Sequence, residues 1–160
     1  MLEAALALQD AALAYVRKFP GLIRIGITGS SGKTTTKEIA GSIFSERYRV
    51  IMNEGNLNSE TGLPLSVFRI RKEHEVGIFE LGMNRKDEIS EIARVLSPSI
   101  ALITNIGTAH IGILGTQAAI AEEKKNIFSF FDPNGAGFVP EDDSFRAYLS
   151  DVTSGTVFPF

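Results

Sequence analysis

The feature that most constrains the fold is a glycine-rich loop that joins an apolar run to a helical pattern. The run Leu22–Thr28 (LIRIGIT) is short and rich in β-branched residues, as buried strands are. The sequence GSSGKT (Gly29–Thr34) follows, and a helical pattern begins at Lys33. A strand, a tight glycine turn and a helix N-terminus in this order are typical of loops that bind phosphate.

The residue types in this loop suit a nucleoside triphosphate. Glycines let backbone N–H groups turn towards phosphate oxygens, the Lys33 ammonium is predicted to reach the outer phosphates, and the Thr34 hydroxyl to contact magnesium. Ile27 stands at the first glycine position of the strict G-x-x-x-x-G-K-[ST] spacing, so the prediction rests on the shorter G-x-x-G-K-T between strand and helix. A tight turn with a solvated lysine would not explain this combination. The predicted nucleotide-binding residues are Gly29, Ser30, Ser31, Gly32, Lys33, Thr34 and Thr35.

Apolar runs alternate with helical patterns along the rest of the chain. Further strands are predicted at Arg49–Met52, Val76–Leu81 and Ile100–Ile106, with weaker ones at Gly135–Pro140 and Thr156–Phe160. Helices are predicted at Lys33–Glu46, Pro64–Arg71, Asp87–Leu96 and Thr116–Phe131. Continuous apolar strands separated by helices favour an α/β fold, with a mostly parallel sheet and helices on both faces.

Composition excludes several classes of protein. The length of 160 residues suits one domain, and a net charge of -3 gives no electrostatic reason to expect a nucleic-acid partner. The absence of cysteine excludes disulfides and thiolate zinc sites and is compatible with a reducing cytoplasm. The Ala/Leu-rich start is predicted to be an amphipathic helix. We expect it to be neither a signal peptide nor a membrane span, because it lacks a basic start and Glu3, Gln9 and Asp10 interrupt it.

Several polar residues follow predicted strands, where ligands of open α/β sheets collect. Glu80 ends one strand and is a candidate oxygen ligand for magnesium, although a lone carboxylate there is equally often structural. His110 lies just past another strand; single histidines are more often ordinary surface or core groups. The asparagines of Asn53–Ser66, including Asn58, are candidates to hydrogen-bond phosphate or a substrate carboxylate, or they form turns.

Lys124 occupies an unusual position on the helix predicted at Thr116–Phe131. It falls in the middle of an apolar stripe, whereas Lys125 lies about a quarter-turn away. The stripe consists of Ile120, Ile127, Phe128 and Phe131. A bare ammonium buried there is costly, so Lys124 either extends to solvent, pairs with an anion, or is chemically converted at an active site.

Five motifs together resemble the central, ATP-binding domain of the Mur ligases. In chain order they are GITGSSGKTTTKE, GNLNSETGLPLS, ELGMN, SPSIALITNIGTAHI and EEKKNIF. The resemblance covers nearly the whole chain and implies that residues 19–160 form this P-loop-containing domain and residues 1–18 the helix that leads into it. The chain stops inside an apolar run, as a cut chain does, and the family's N-terminal UDP-sugar domain and C-terminal domain are not in it.

The resemblance implies a cytoplasmic, ATP- and Mg²⁺-dependent amide ligase of peptidoglycan precursor synthesis, acting as a monomer. The forms GNLNSETGLPLS and ELGMN favour the family member that joins D-Ala-D-Ala to UDP-MurNAc-tripeptide through an acyl phosphate. The alternatives are an ATP-binding module that catalyses nothing, another ligase of the Mur or folylpolyglutamate type, and a P-loop kinase of a different fold.

The resemblance also implies roles for single residues. In the family, a lysine at the position of Lys124 is carbamylated, and its new carboxylate helps to hold metal. Gly112 stands where the family carries an acidic residue. The implied catalytic residues are Lys33, Asn58, His110 and Lys124, and the implied magnesium ligands are Thr34, Glu80, His110 and Lys124.

Overall fold

The structure is a computed structural model, and it describes residues 2–160. Six strands form one sheet: β1 (Ile23–Thr28), β2 (Val50–Met52), β3 (Val76–Glu80), β4 (Ile100–Ile103), β5 (Ala136–Val139) and β6 (Thr156–Pro159). Their order is β2-β3-β1-β4-β5-β6, and every neighbouring pair is parallel. The predicted α/β class with a parallel sheet is therefore confirmed.

One helix precedes β1, and the others occupy the segments between the strands. They are α1 (Leu2–Val16), α2 (Lys33–Ser45), α3 (Gly62–Val67), α4 (Glu88–Leu96), α5 (Ile111–Leu114), α6 (Gln117–Lys125) and α7 (Arg146–Ser150). The prediction of one helix over Thr116–Phe131 is wrong beyond Lys125, because the chain tightens there into a 3₁₀ turn at Asn126–Phe128. Helix α3 ends at Val67, short of the predicted Arg71.

Alternate residues of the strands bury themselves under helices on opposite faces of the sheet. Ile25 and Ile27 of β1 pack on one face, together with Ala40 and Phe44 of α2. Gly26 points to the other face, where a β-carbon would lie 3.2 Å from Ile127. Helices α1, α3 and α4 are also in mutual contact, so the leading helix packs on the domain. Burial of each large aliphatic side chain contributes about 1.5–3 kcal/mol.

Strand order determines where the loops meet. After β1 the chain builds β2 and β3 on one side of the sheet, and then crosses to build β4, β5 and β6 on the other. Thr28 pairs with Ile103, so the loops that follow β1 and β4 start side by side. This point is the crevice in which open α/β sheets bind ligands. Within residues 2–160, the helices are all too short or too polar to cross a membrane.

Candidate functional site

Two glycines shape the loop after β1. Gly29 has a φ of 151°, and a β-carbon at this position would overlap the Thr104 hydroxyl that follows β4. Gly32 has a φ of 78° and is the N-cap of α2. Residues with a side chain rarely adopt either backbone conformation, so glycine is favoured at both positions. At Gly29 there is also no room for a β-carbon. The loop therefore lies against the β4 loop more closely than other residues would allow.

Asn105, which the sequence analysis did not single out, holds the loop. Its Oδ1 accepts hydrogen bonds from the backbone N–H groups of Ser30 (3.1 Å) and Ser31 (3.0 Å), and its Nδ2 donates to Ser31 Oγ (2.7 Å). The Gly107 N–H donates to Ser30 Oγ at 2.8 Å. Two N–H groups predicted to face phosphate are thus bonded to protein. Asn105 lies two residues past the end of β4, and a polar residue just after a strand is the signal that could have identified it.

The N-terminus of α2 keeps its donors available. Its N-cap, Gly32, has no side chain, and the first-turn N–H groups of a helix have no partners within the helix. The Lys33 ammonium folds back on the Gly29 carbonyl at 3.0 Å, above this end of a 13-residue helix. Free N–H groups, the positive end of the helix dipole and a lysine form an anion site.

Glu80, Thr34 and Asn58 form a hydrogen-bonded set beside the loop. The Thr34 hydroxyl donates to Glu80 Oε2 at 2.7 Å, and Asn58 Nδ2 donates to Oε1 at 2.9 Å. Glu80 is 4% exposed, and over residues 2–160 it has no salt bridge. A buried carboxylate bonded only to neutral groups favours a bound cation. One carboxylate and a threonine hydroxyl suit Mg²⁺ that is also bound by phosphates.

Lys124 and His110 face Lys33 from the other side of the crevice. Lys124 is 1% exposed, so it does not extend to solvent; burial first and the Lys33 charge second lower its pKa to about 8. Burial also lowers the pKa of His110, and the charges of Lys124 and Lys33 lower it further. Lys125, in contrast, lies over the Tyr148 ring at 4.1 Å. Of the two neighbouring lysines, Lys124 is therefore the buried one on which the Lys33 charge acts.

The two lysines attract anions and disfavour a second metal beside them. Among residues 2–160 there is no group of three His, Cys, Asp or Glu side chains able to hold a metal. A negative charge on Lys124 would favour a magnesium ion beside His110. The low pKa makes that chemistry accessible, since at about pH 7.5 about a quarter of a group with a pKa of about 8 is the reactive neutral amine.

A carboxyl pair, also missed by the sequence analysis, ties together two loops beside the site. Glu88 is 1% exposed and accepts hydrogen bonds from the N–H groups of Asn84 (2.6 Å), Arg85 (3.3 Å) and Glu60 (3.3 Å). Burial first and a hydrogen bond with the Glu60 carboxyl second raise the pKa of Glu88 to about 7. The same hydrogen bond lowers the pKa of Glu60.

This pair makes stability depend on pH in a defined direction. Between about pH 4.5 and about pH 7 the folded state binds a proton at Glu88 that the unfolded state has lost, so the free energy of unfolding falls as pH rises. We expect Glu88→Gln to remove this slope, because glutamine resembles the protonated carboxyl. Urea unfolding at about pH 5 and about pH 7.5 measures it. The exposed Glu122→Gln is the control, and an unchanged slope in Glu88→Gln would contradict the assignment.

An all-parallel sheet with a glycine-rich loop and an open helix N-terminus at its crevice defines the chain as a P-loop α/β domain. The sequence profile of the Mur ligase middle domain matches residues 27–158. The chain belongs to the Mur ligase family, of which it is a middle domain, and the resemblance predicted from its motifs is confirmed.

Individual relatives agree with this assignment. The chain is 64% identical over 151 residues to the UDP-N-acetylmuramoyl-tripeptide–D-alanyl-D-alanine ligase of Treponema pallidum. The aligned residues make up 94% of this chain and 33% of that protein. A crystal structure of MurF from Acinetobacter baumannii has a TM-score of 0.94 and 38% identity, covering 98% of this chain and 35% of the other. The crystal structure of MurF from Thermotoga maritima in complex with ADP has a TM-score of 0.86 and 31% identity to this chain. The match covers 97% of this chain and 36% of the Thermotoga maritima chain. The chain thus spans about a third of the length of these relatives.

Proposed function

We propose that the full-length protein carrying this chain is an ATP-dependent amide ligase that joins D-Ala-D-Ala to UDP-MurNAc-tripeptide. The observation that carries the proposal is the 64% identity with the Treponema pallidum ligase of that name. The geometry supports the reaction class, because an open helix N-terminus, a buried carboxylate and a group of cations surround one crevice. Phosphoryl transfer depends on such positioning and charge neutralisation.

ATP is the proposed ligand of Gly29–Thr35. The ADP complex of the Thermotoga maritima relative supports this assignment. The free N–H groups of α2 and the Lys33 ammonium would hold the outer phosphates, and Thr34 and Glu80 would hold Mg²⁺. When bound, Mg²⁺ neutralises phosphate charge and orients the transferred group.

The reaction brings two anions together, and the residues of this chain counter their repulsion. A carboxylate oxygen of the tripeptide attacks the γ-phosphorus, the bond to the ADP oxygen breaks, and an acyl phosphate forms. The amine of D-Ala-D-Ala then attacks the acyl carbon through a tetrahedral intermediate, loses a proton and expels phosphate. Lys33 and the free N–H groups of α2 offset the accumulating negative charge, while Asn58 keeps the Glu80 carboxylate oriented.

Lys124 is proposed to carry a carbamate. Its neutral amine adds to the carbon of CO₂, the nitrogen loses a proton, and the product is a carboxylate on the same side chain. Burial without a salt bridge to any carboxylate of residues 2–160, beside a second lysine, supports this change, because a negative group relieves the repulsion. With His110 it would then supply ligands for a second Mg²⁺.

Amino-substrate choice tests the proposal. Full-length protein is supplied with ATP and Mg²⁺, and ADP release is followed with D-Ala-D-Ala or a free diamino acid on UDP-MurNAc-tripeptide, and in a separate reaction with L-glutamate on a folate acceptor. We expect ADP release only with D-Ala-D-Ala. Turnover with the diamino acid would instead assign another Mur-type ligase, turnover with L-glutamate on the folate acceptor would assign the folylpolyglutamate type, and ATP binding without any turnover would assign a binding module.

A further inference from the structure

Lys37 is a buried lysine for which the proposed chemistry has no use. It lies on α2, is 1% exposed, and donates from Nζ to the backbone carbonyl of Asn53 at 2.7 Å. Within residues 2–160 its one ion pair is with Glu38 at 3.3 Å, a side chain that is 59% exposed. Burying an ammonium is costly, and a methionine of similar volume would be cheaper to bury. The position therefore uses the hydrogen-bond donor of the lysine.

Asn53, the partner of Lys37, clamps the backbone of Glu80. Asn53 is 1% exposed; its Oδ1 accepts from the Glu80 N–H at 2.9 Å, and its Nδ2 donates to the Glu80 carbonyl at 3.0 Å. Nδ2 also donates to the Leu57 carbonyl at 2.9 Å. Because β2 ends at Met52, this side chain replaces the strand pairing that would otherwise hold the end of β3. Both backbone groups of Glu80 are thus tied to Asn53.

These bonds close a ring with the Thr34–Glu80 hydrogen bond. Thr34 and Lys37 are three residues apart on α2 and so lie on one side of it, one turn apart. Lys37 holds the Asn53 backbone, Asn53 holds the Glu80 backbone, and the Glu80 carboxylate accepts from the Thr34 hydroxyl. This ring of hydrogen bonds fixes the position of the Glu80 carboxylate relative to Thr34, at the end of the glycine-rich loop.

We propose that Lys37 is a positioning residue that, through Asn53, sets the Glu80 carboxylate against Thr34 for magnesium-dependent nucleotide binding. The inference rests on the proposed role of Glu80 in holding Mg²⁺. Lys37 itself touches neither nucleotide nor metal in this scheme. Residues that support a metal ligand from behind typically change metal affinity or activity by about 10- to 100-fold when they are replaced.

Magnesium dependence of ATP binding separates positioning from simple packing. Calorimetric titration of the full-length protein with ATP, in saturating Mg²⁺ and in EDTA, is carried out for wild type, Lys37→Met, Glu80→Gln and the double variant. We expect Lys37→Met to lose about 10- to 100-fold of the affinity measured with Mg²⁺ and to keep the affinity measured in EDTA. The double variant is expected to bind no more weakly than Glu80→Gln alone, since both changes act on one carboxylate. Lys72→Met, at an exposed lysine, is the matched control.

Each outcome decides between the two proposals. If wild type does not bind ATP, or binds it equally with and without Mg²⁺, the proposed role of Glu80 fails and the inference falls with it. Suppose that ATP binding by wild type depends on Mg²⁺ and that Lys37→Met folds. If ATP binding by Lys37→Met then shows the same dependence on Mg²⁺, or if its affinity falls by the same factor in Mg²⁺ and in EDTA, only the positioning role is overturned. If Lys37→Met does not fold, Asn53→Ala, which keeps the Lys37–carbonyl bond but removes the clamp on Glu80, is expected to show the magnesium-specific loss. A magnesium dependence in Asn53→Ala equal to that of wild type overturns the inference.

Discussion

Lys33→Ala is expected to lower ADP release by the full-length protein by about 100- to 1,000-fold, the scale of removing one preorganised donor from developing charge. The Lys33 ammonium lies at the N-terminus of α2, with Nζ 3.0 Å from the Gly29 carbonyl. The other residues near the crevice that can carry a positive charge, His110 and Lys124, come from segments after β4 and do not belong to the Gly29–Thr34 loop. Alanine leaves the N–H groups of α2 in place but removes the charge that spans the outer phosphates. Calorimetry with ATP and a coupled assay for ADP measure the two effects.

The fold of the Lys33→Ala protein is expected to be unchanged. The side chain is half-buried and makes its one hydrogen bond within the loop, so urea unfolding should match wild type. Lys72→Ala, at an exposed lysine that precedes β3, is the control for loss of a positive charge. Wild-type ATP affinity in Lys33→Ala would refute the assignment of this loop.

Lys124→Met is expected to reduce ligation by about 100-fold or more while ATP binding is retained. Methionine removes the amine that would carry the carbamate but keeps nearly the same side-chain volume. The neighbouring Lys125→Met is the matched control, since Lys125 packs on Tyr148 outside the crevice. Removal of CO₂ from the buffer should lower wild-type activity, and bicarbonate should restore it. Carbon-13 NMR with labelled bicarbonate should give a carbamate signal that only Lys124→Met loses.

The paired variants make this expectation falsifiable. Equal activity of Lys124→Met and Lys125→Met would show that the buried lysine has no role in ligation. Loss of activity in Lys124→Met without any carbamate signal in wild type would leave Lys124 as a cation that binds phosphate, and the proposed modification would be wrong.

The sequence predicted the elements well where hydrophobic periodicity is local. The end of the predicted helix at Phe131 was wrong because the apolar stripe continues through the 3₁₀ turn, which buries Ile127 and Phe128 as a helix would. The short helices α5 and α7 were not predicted, since four or five residues carry too little periodicity. Their positions depend on the loops around them.

The site was only partly accessible from sequence. The candidates Lys33, Thr34 and Glu80 could be proposed because a strand end followed by a polar residue is visible in one dimension. The partners of Asn105 and Lys37 could not be predicted, because they lie 74 or 75 and 16 residues away in the chain. Nothing in the local pattern shows that Lys37 is buried.

By itself, the sequence determined the strand–loop–helix unit that presents Lys33 and the apolar stripe in which Lys124 falls, because glycine turns and helical periodicity are properties of neighbouring residues. Only the tertiary structure decided that β3 and β4 flank β1, which brings Glu80 to one side of the loop and Asn105 to the other. Strand order depends on how the helices cover both faces of the sheet together. That is a balance of packing over the whole domain, which no single segment encodes.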